Sequence, residues 1–326
     1  MMLYQALGAA FFISLLGLWL FRRGAPALGL VDRPEARSEH VVPVPVGAGV
    51  VVIAVLILSF LFFPELVKNG FASINLTASL VAGLAVIGIL DDRFELQSGL
   101  RLLLYFTAAG LFLYSEIGSG SLWLNILILL AFVWTINLFN FMDGIDGFAI
   151  TQALLVFVGL AAILSITDAP QSSGLINILL LLIFSCFPIV FFNWPPASVF
   201  MGDAGSICLG FLLAALGVRV TLMDFSLGWV WLIFMMPFLV DATVTLGIRV
   251  TGGQAPHVAH RDHAYQRLTR ITGSDLVVNL GLLLLHLCWL FPLAMLSLSG
   301  VYSRIIAVIL ATIPPMALLV YVRRRA

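Results

Sequence analysis

Charge is what this sequence has least of. Only 10% of its 326 residues are charged, whereas about a quarter are charged in an ordinary soluble domain. This shortage excludes a soluble enzyme, a disordered chain and a nucleic-acid binder. The 16 basic and 16 acidic residues cancel, so the net charge identifies no partner.

Cysteine is also scarce. Cys186, Cys208 and Cys288 lie inside apolar runs, without the spacing of a disulfide framework or a metal site, and we interpret them as small apolar side chains. A cleaved leader is not indicated either, because no basic residue precedes the first apolar run and that run is long for a signal peptide.

Apolar residues make up 62% of the chain, and the mean hydropathy is +1.13. A helix needs about 20 mainly apolar residues to cross a bilayer. The sequence therefore predicts an all-α polytopic membrane protein with about 11 transmembrane helices. The predicted spans are 3–21, 44–63, 74–90, 99–115, 121–138, 149–166, 174–192, 205–222, 226–247, 276–297 and 302–322.

The basic residues orient these spans. Placing the N-terminus in the periplasm puts 13 of the 16 basic residues inside and leaves Lys68, Arg219 and Arg304 outside, as the preference of basic loops for the cytoplasm requires. The C-terminus is then cytoplasmic. Most acidic residues fall on the same side, which insertion rules do not explain, and this predicts a functional surface at the cytoplasmic face.

Two adjacent carboxylates, Asp91 and Asp92, directly follow the third apolar span. Adjacent carboxylates repel, and in a low-dielectric setting one of them is protonated unless a cation holds both. The pair predicts a divalent metal or a basic ligand. A solvated loop that caps the next helix would give the same pattern.

Acids, amides and glycines are combined in the next inside loop, which contains Asn137, Asn140, Asp143 and Asp146. A glycine follows each aspartate and lets the backbone approach a ligand closely. The carboxylates and amides offer contacts to a metal, a hydroxyl group or a base. Asp-Gly pairs are also common in plain turns.

A third inside loop runs from Asn193 to Ser206, with Asp203 at the mouth of a helix. A helix N-terminus favours phosphate, and a carboxylate beside it can hold the Mg²⁺ that bridges to that phosphate.

The ninth span carries Asp241, Thr245 and Arg249 at intervals of four residues, so they share one helical face. An ionisable residue within a membrane helix indicates function, although an ion pair between packed helices is the alternative. The loop that follows contains a cationic or proton-donating cluster, formed by His257, His260, Arg261, His263 and Arg267.

Together these segments resemble the polyprenyl-phosphate N-acetylaminosugar-1-phosphate transferases, membrane enzymes of glycosyltransferase family 4 that are related to phospho-N-acetylmuramoyl-pentapeptide transferase. The resemblance covers nearly the whole chain, because five motifs occur in family order. They are Asp32-Arg33-Pro34 with Arg37, His40, Pro43, Pro45 and Gly47; Asp91-Asp92; Asn137 to Gly147; Asn193 to Ser206; and Pro237 with Asp241 and Arg249. In the first motif, Ser38 and Ala48 replace the usual lysine and glycine.

The resemblance implies one integral membrane transferase domain over residues 1–326, with cytoplasmic active-site loops at about 22–43, 91–98, 139–148, 193–204 and 249–275. It also implies transfer of a sugar-1-phosphate from a UDP-N-acetylaminosugar to undecaprenyl phosphate in the bacterial inner membrane, with release of UMP. The expected cofactor is Mg²⁺, with Mn²⁺ as an alternative. The partners are these two substrates and the lipid bilayer, with a homodimer left open and no nucleic acid.

Roles for individual residues follow from the same resemblance. Asp203 is the expected chief metal ligand, and either Asp91 or Asp92 supports it while the other positions or deprotonates the lipid phosphate. Asp143 completes the catalytic set. The substrate-binding set is His40, Asn137, Asn140, Asp146, Asn193, Asp241, Arg249, His260, Arg261, His263 and Arg267.

One departure concerns the sugar. Family members that use UDP-N-acetylglucosamine commonly carry Arg-x-His-x-His-His-Arg-Leu, whereas Tyr265 and Gln266 replace two of those histidines here. This form resembles the branch that initiates O-antigen chains with other, often 6-deoxy, N-acetylaminosugars, and UDP-N-acetylglucosamine is the alternative donor. A secondary transporter is the rival class, but transporters tend to show repeated halves and sites near the midplane, neither of which is visible here.

Overall fold

Each predicted apolar span contains at least one helix in the computed structural model, which describes residues 1–32, 43–118, 120–167, 172–255 and 260–325. The helices are α1 (Met2–Gly24), α2 (Gly49–Phe62), α3 (Pro64–Val67), α4 (Ile74–Phe94), α5 (Ser98–Ile117), α6 (Leu122–Phe141), α7 (Phe148–Ile166), α8 (Ser172–Asn193), α9 (Asp203–Met223), α10 (Phe225–Thr251), α11 (Ala264–Thr272), α12 (Asp275–Leu285), α13 (Phe291–Leu298) and α14 (Arg304–Arg325). A 3-10 turn, Ala25–Leu28, extends α1, and a π-helical segment, His286–Leu290, joins α12 to α13.

The all-α polytopic membrane fold is confirmed. Within the described residues, ten helical segments are long and apolar enough to cross a membrane, counting α12 to α13 as one. The helix α2, which corresponds to the predicted span 44–63, has only 14 residues. The predicted start at residue 44 was wrong, because Val44–Pro45 forms a strand (β2) that pairs antiparallel with Val31–Asp32 (β1).

The helix α9 lies at the centre of the bundle, between α4, α6 and α10. Every residue from Ala204 to Gly217 is buried, as expected for a helix that is apolar on all sides. α4 approaches its first turn very closely, since a Cβ atom on Gly88 would lie 2.4 Å from Ala204 Cα. Small residues at this crossing bring the end of α4 against the beginning of α9.

The β2 segment extends the same end of the bundle. Phe200 N donates to Pro45 O at 2.7 Å, Ala48 N donates to Phe200 O at 3.1 Å, and Gly49 N donates to Met201 O at 2.8 Å. Because the helices alternate in direction, the loops after α4, α6, α8 and α10 meet here. The fold therefore gathers the predicted polar loops at one end of the bundle, apart from residues 33–42 and 256–259, which lie outside the described part of the chain.

Candidate active site

Two carboxylates from different helices meet at the centre of this end. Asp92, near the end of α4, accepts a hydrogen bond on Oδ1 from Asp203 N, the first residue of α9, at 3.0 Å. Its second oxygen, Oδ2, is buried and has no hydrogen-bond partner among the described residues. The close crossing of α4 and α9 thus creates an acidic pair with one unsatisfied oxygen.

Asp91 occupies a different environment from Asp92. Its side chain is 3% exposed and pairs with Arg101 of α5, with Nη1 and Oδ2 2.5 Å apart. Its other oxygen accepts from Leu96 N at 2.8 Å. Asp91 is therefore paired with a base and ties the turn between α4 and α5, although its side chain also lies within hydrogen-bonding reach of Asp203.

Asn140, at the end of α6, lies beside the two carboxylates and hydrogen-bonds to one of them. Its amide donates to Asp203 Oδ1 at 2.8 Å and to Ser206 Oγ at 2.9 Å. This fixes the orientation of the Asp203 side chain at the mouth of α9.

Gly202 makes room for the pair. Its φ is +73°, a conformation that glycine adopts without steric cost. A Cβ atom there would lie 2.7 Å from Asp92 Oδ2 and 2.7 Å from Gly47 N. Any side chain at this position would collide with the carboxylate and with the backbone that follows β2.

The donors fit a divalent cation bound together with substrate. No group of three His, Cys, Asp or Glu side chains forms a ready-made metal site in the described part of the chain. Mg²⁺, however, is usually held by one or two carboxylates plus substrate phosphates and water. Asp92 with its unsatisfied oxygen and Asp203 beside it supply that pair.

The loop between α6 and α7 is held against the loop between α8 and α9. Asp146 Oδ2 accepts from Ala197 N at 2.7 Å, and Asn193 Oδ1 accepts from Gly147 N at 3.2 Å. The buried Asn193 also donates to Val199 O at 2.9 Å. These predicted substrate ligands thus join the two loops through their backbones.

Asp143 lies in the same loop and is half-buried. Desolvation, followed by the nearby charges of Asp92 and Asp146, raises its pKa to about 7. Asp92, Asp143 and Asp146 are therefore close enough for their charges to interact. Asn137, one turn before Asn140, donates to Val133 O within its own helix at 2.9 Å.

Asp241 of α10 anchors the helix α11. It accepts from Ala264 N at 2.8 Å and from Tyr265 N at 3.1 Å, and Thr245 Oγ1 donates to it at 3.0 Å. A carboxylate at a helix N-terminus satisfies free N–H groups and the helix dipole. Asp241 therefore fixes the position of the histidine-containing loop. Thr245 can donate to Asp241 because the two residues share one face of α10, as the sequence predicted.

Two predicted arginines share one acid in this region. Arg249 Nη1 and Arg267 Nη2 both donate to the carboxylate of Asp262, the latter at 3.0 Å. Burial opposes the charge of Asp262, but these hydrogen bonds outweigh it and lower the pKa of Asp262 below its ordinary value. Asp262 stays ionised and orients both guanidinium groups.

The two described histidines of the loop are adjacent, with the ring centroids of His260 and His263 4.9 Å apart. Burial, and after it the charges of His263 and Arg249, lower the pKa of His260 to about 4, so His260 is neutral near pH 7. His263 Nδ1 lies 3.4 Å from Asp241 Oδ1. Arg261 is half-buried beside them, and the remaining predicted ligand, His40, lies outside the described residues.

Tyr265 and Gln266 differ in what they contact. The Tyr265 ring is 1% exposed, stacks on Phe148 with centroids 4.7 Å apart, and donates through its hydroxyl to Phe141 O at 3.1 Å. Gln266 Oε1 is buried without a described partner, and its Nε2 would lie 2.8 Å from a Cβ atom on Gly144. Both side chains face Gly144, since the Tyr265 hydroxyl would lie 2.3 Å from a Cβ atom there, but Tyr265 also stacks on an aromatic ring.

A separate apolar cavity of about 320 Å³ lies between α5, α6, α9 and α10. Ile128, Phe132 and Trp231 line it, and none of its lining residues is titratable. The titratable candidate residues therefore lie at the polar end of the bundle and not in this cavity.

Several residues of the site were not predicted as such. Arg101 pairs with Asp91, Asp262 joins Arg249 to Arg267, and Ser206 accepts from Asn140. The sequence did give an indication for Asp262, because it is an acidic residue between the predicted ligands Arg261 and His263. For Arg101 the only sign was a charge near the start of an otherwise apolar span.

Known proteins are similar to this chain in sequence. The family model described as Glycosyl transferase family 4 matches residues 74–221. A probable undecaprenyl-phosphate N-acetylglucosaminyl 1-phosphate transferase of Bacillus subtilis (strain 168) is 27% identical over 281 residues, covering 79% of this chain and 76% of that protein. An undecaprenyl-phosphate alpha-N-acetylglucosaminyl 1-phosphate transferase of Yersinia pestis is 27% identical, covering 80% and 75%. A decaprenyl-phosphate N-acetylglucosaminephosphotransferase of Mycobacterium tuberculosis (strain CDC 1551 / Oshkosh) is 32% identical, covering 59% and 54%.

Proposed function

The chain belongs to glycosyl transferase family 4, and we propose that it transfers an N-acetylaminosugar-1-phosphate from a UDP-sugar to undecaprenyl phosphate, releasing UMP. The observation that carries this proposal is the buried, unsatisfied Asp92 Oδ2 beside Asp203. A phosphoryl-transfer site needs such an acidic pair to hold a metal ion against substrate phosphates.

In the proposed reaction, an oxygen of undecaprenyl phosphate attacks the β-phosphorus of the donor. The bond from that phosphorus to the bridging oxygen breaks, and the oxygen leaves with UMP. A strong base is not required, since the second pKa of a phosphate monoester is about 6. The protein must mainly position the two substrates and neutralise their charge.

We assign metal binding, nucleotide binding and sugar binding to different residues. Asp203 and Asp92 would hold Mg²⁺, or Mn²⁺, and Asn140 keeps Asp203 oriented. The ion supplies charge neutralisation at the donor diphosphate. We assign the nucleotide to the loop of Asp143 and Asp146. The sugar or its diphosphate is assigned to His260, Arg261 and His263, with Arg249 and Arg267 held by Asp262.

This activity would be the first membrane step of O-antigen or related cell-envelope polysaccharide synthesis, at the cytoplasmic face of a bacterial inner membrane. The test uses the purified protein with undecaprenyl phosphate, Mg²⁺ and a panel of UDP-sugars, and follows UMP. UMP release that requires both substrates would support the transfer. Absence of release with every donor would contradict it.

For the donor, we propose a UDP-N-acetyl-6-deoxyaminosugar such as UDP-N-acetylfucosamine or UDP-N-acetylquinovosamine. Gln266 stands where N-acetylglucosamine-using members carry histidine. A site built to bind a hydroxyl group rejects a sugar that lacks it, so the loss of that histidine should allow a 6-deoxy sugar to bind. UDP-N-acetylglucosamine is the competing donor, because the three relatives above are named for N-acetylglucosaminyl transfer.

Two single substitutions test this choice. Gln266→His should shift the ratio of the two kcat/KM values toward UDP-N-acetylglucosamine. Tyr265→His should instead lower the unfolding temperature and both activities, because the buried ring packs on Phe148. A wild-type preference for UDP-N-acetylglucosamine, or equal losses for both donors in Gln266→His, would show that Gln266 does not select the sugar.

A further inference from the structure

The helix α14 ends in three consecutive arginines that have different surroundings. Arg324 and Arg325 are exposed, whereas Arg323 is half-buried. Arg323 follows Val322, which is fully buried and packs with Ala264 at the start of α11. The first turn of α11 and the last turn of α14 are therefore in contact.

Arg323 lacks an acid of its own. Its Nε and Nη2 atoms are buried and have no acceptor among the described residues. The charges that act on it are those of Arg267, Asp262 and Asp241. Asp262 already accepts from Arg249 and Arg267, so its carboxylate is taken up by two other guanidinium groups.

Asp241 is not a free acceptor for Arg323 either. Both of its oxygens accept hydrogen bonds from the backbone of α11, and Thr245 donates to one of them. Burying donors of a charged group without a partner is costly, and an unsatisfied buried group in a folded protein calls for an explanation. An anion that binds beside α11 would provide one.

We propose that Arg323 is a substrate-binding residue that holds the diphosphate of the UDP-sugar donor, together with Arg249 and Arg267. The planar guanidinium matches phosphate in a bidentate geometry. The donor is the better source of this phosphate than the lipid, because α11 also contacts Gly144 in the loop assigned to the nucleotide. This inference rests on the proposed function.

The test compares three variants of the full-length protein. Arg323→Gln removes the charge, whereas Arg323→Lys keeps the charge but not the planar, bidentate guanidinium group. Arg324→Gln removes the neighbouring exposed charge and is the matched control. KM is measured for the UDP-sugar and separately for undecaprenyl phosphate, UDP binding is measured by calorimetry, and thermal unfolding is followed for each variant.

We expect Arg323→Gln to raise the donor KM and to weaken UDP binding by at least about tenfold, which corresponds to about 1.4 kcal/mol. The KM for undecaprenyl phosphate and the unfolding temperature should stay near the wild-type values. Arg323→Lys should recover part of the loss, and Arg324→Gln should behave like the wild type.

Three results would overturn the inference in an active wild type: an unchanged donor KM, a rise confined to the KM for undecaprenyl phosphate, or an equal loss in Arg324→Gln. A lower unfolding temperature without recovery by lysine would assign Arg323 to packing and also contradict it. If the wild type neither releases UMP nor binds UDP, the proposed function itself fails and this inference with it.

Discussion

Asparagine substitutions at Asp92 and at Asp91 should separate catalysis from stability. In Asp92→Asn, the protein loses a carboxylate that interacts with the backbone N–H groups of Asp203 and Ala204 at the start of α9 and whose Oδ2 has no hydrogen-bond partner among the described residues. The change also removes repulsion with Asp203. We therefore expect the free energy of unfolding to stay within about 1 kcal/mol of the wild type, which is the ordinary net value of one hydrogen bond.

Asp91→Asn should have the opposite effect. It removes the charge that pairs with Arg101 Nη1 at 2.5 Å and weakens the acceptor of Leu96 N. Breaking a fully buried pair costs about 3–5 kcal/mol. Because the Arg101 side chain is 31% exposed, solvent screens part of this cost, and we expect a loss of about 1–3 kcal/mol.

The effects on activity should be opposite to the effects on stability. Loss of Asp92 should lower kcat by about 1,000-fold, or about 4 kcal/mol of transition-state stabilisation, while Asp91→Asn stays within about tenfold of the wild type once folded protein is counted. UMP release and thermal unfolding measure the two quantities. Asp92→Asn activity within about tenfold of the wild type, or an inactive Asp91→Asn protein of wild-type stability, would refute this assignment.

Three further predictions concern the metal ligand, the membrane topology and Asp143. Asp203→Asn should abolish turnover while the protein still inserts and folds, because an amide cannot match a carboxylate for Mg²⁺; retained UMP release would disprove its role as chief ligand. A cysteine at residue 95 should resist a membrane-impermeant thiol reagent added from outside, whereas one at the exposed residue 68 should react, and the reverse labelling would show the opposite topology. Burial raises the pKa of Asp143 from 3.8 to about 7, so its ionisation destabilises the fold: in metal-free buffer, the unfolding temperature of the wild type should fall relative to Asp143→Asn as pH rises from about 4 to about 7, and parallel curves would contradict this.

The helices could be predicted from the sequence because a long apolar run in a membrane has few alternatives to a helix. The beginning of α2 could not, since Val44–Pro45 pairs with Val31–Asp32 and hydrogen-bonds to Phe200. That contact joins segments far apart in the chain. Apolar composition carries no information about it.

The active-site loops show the same limit at the level of single side chains. Asp91 and Asp92 are equivalent in sequence, but successive residues of a helix point about 100° apart, so only Asp91 pairs with Arg101 and only Asp92 accepts from Asp203 N, although the Asp91 side chain also reaches that of Asp203. Tyr265 and Gln266 are also neighbours and both are buried, and only the docking of α11 on Phe148 decides which of them stacks on an aromatic ring. A motif therefore identifies the residues near the chemistry, whereas the division between ligand and scaffold depends on helix rotation and on partners outside the motif. Arg101 is such a partner, since it lies on α5, a helix that carries none of the five motifs.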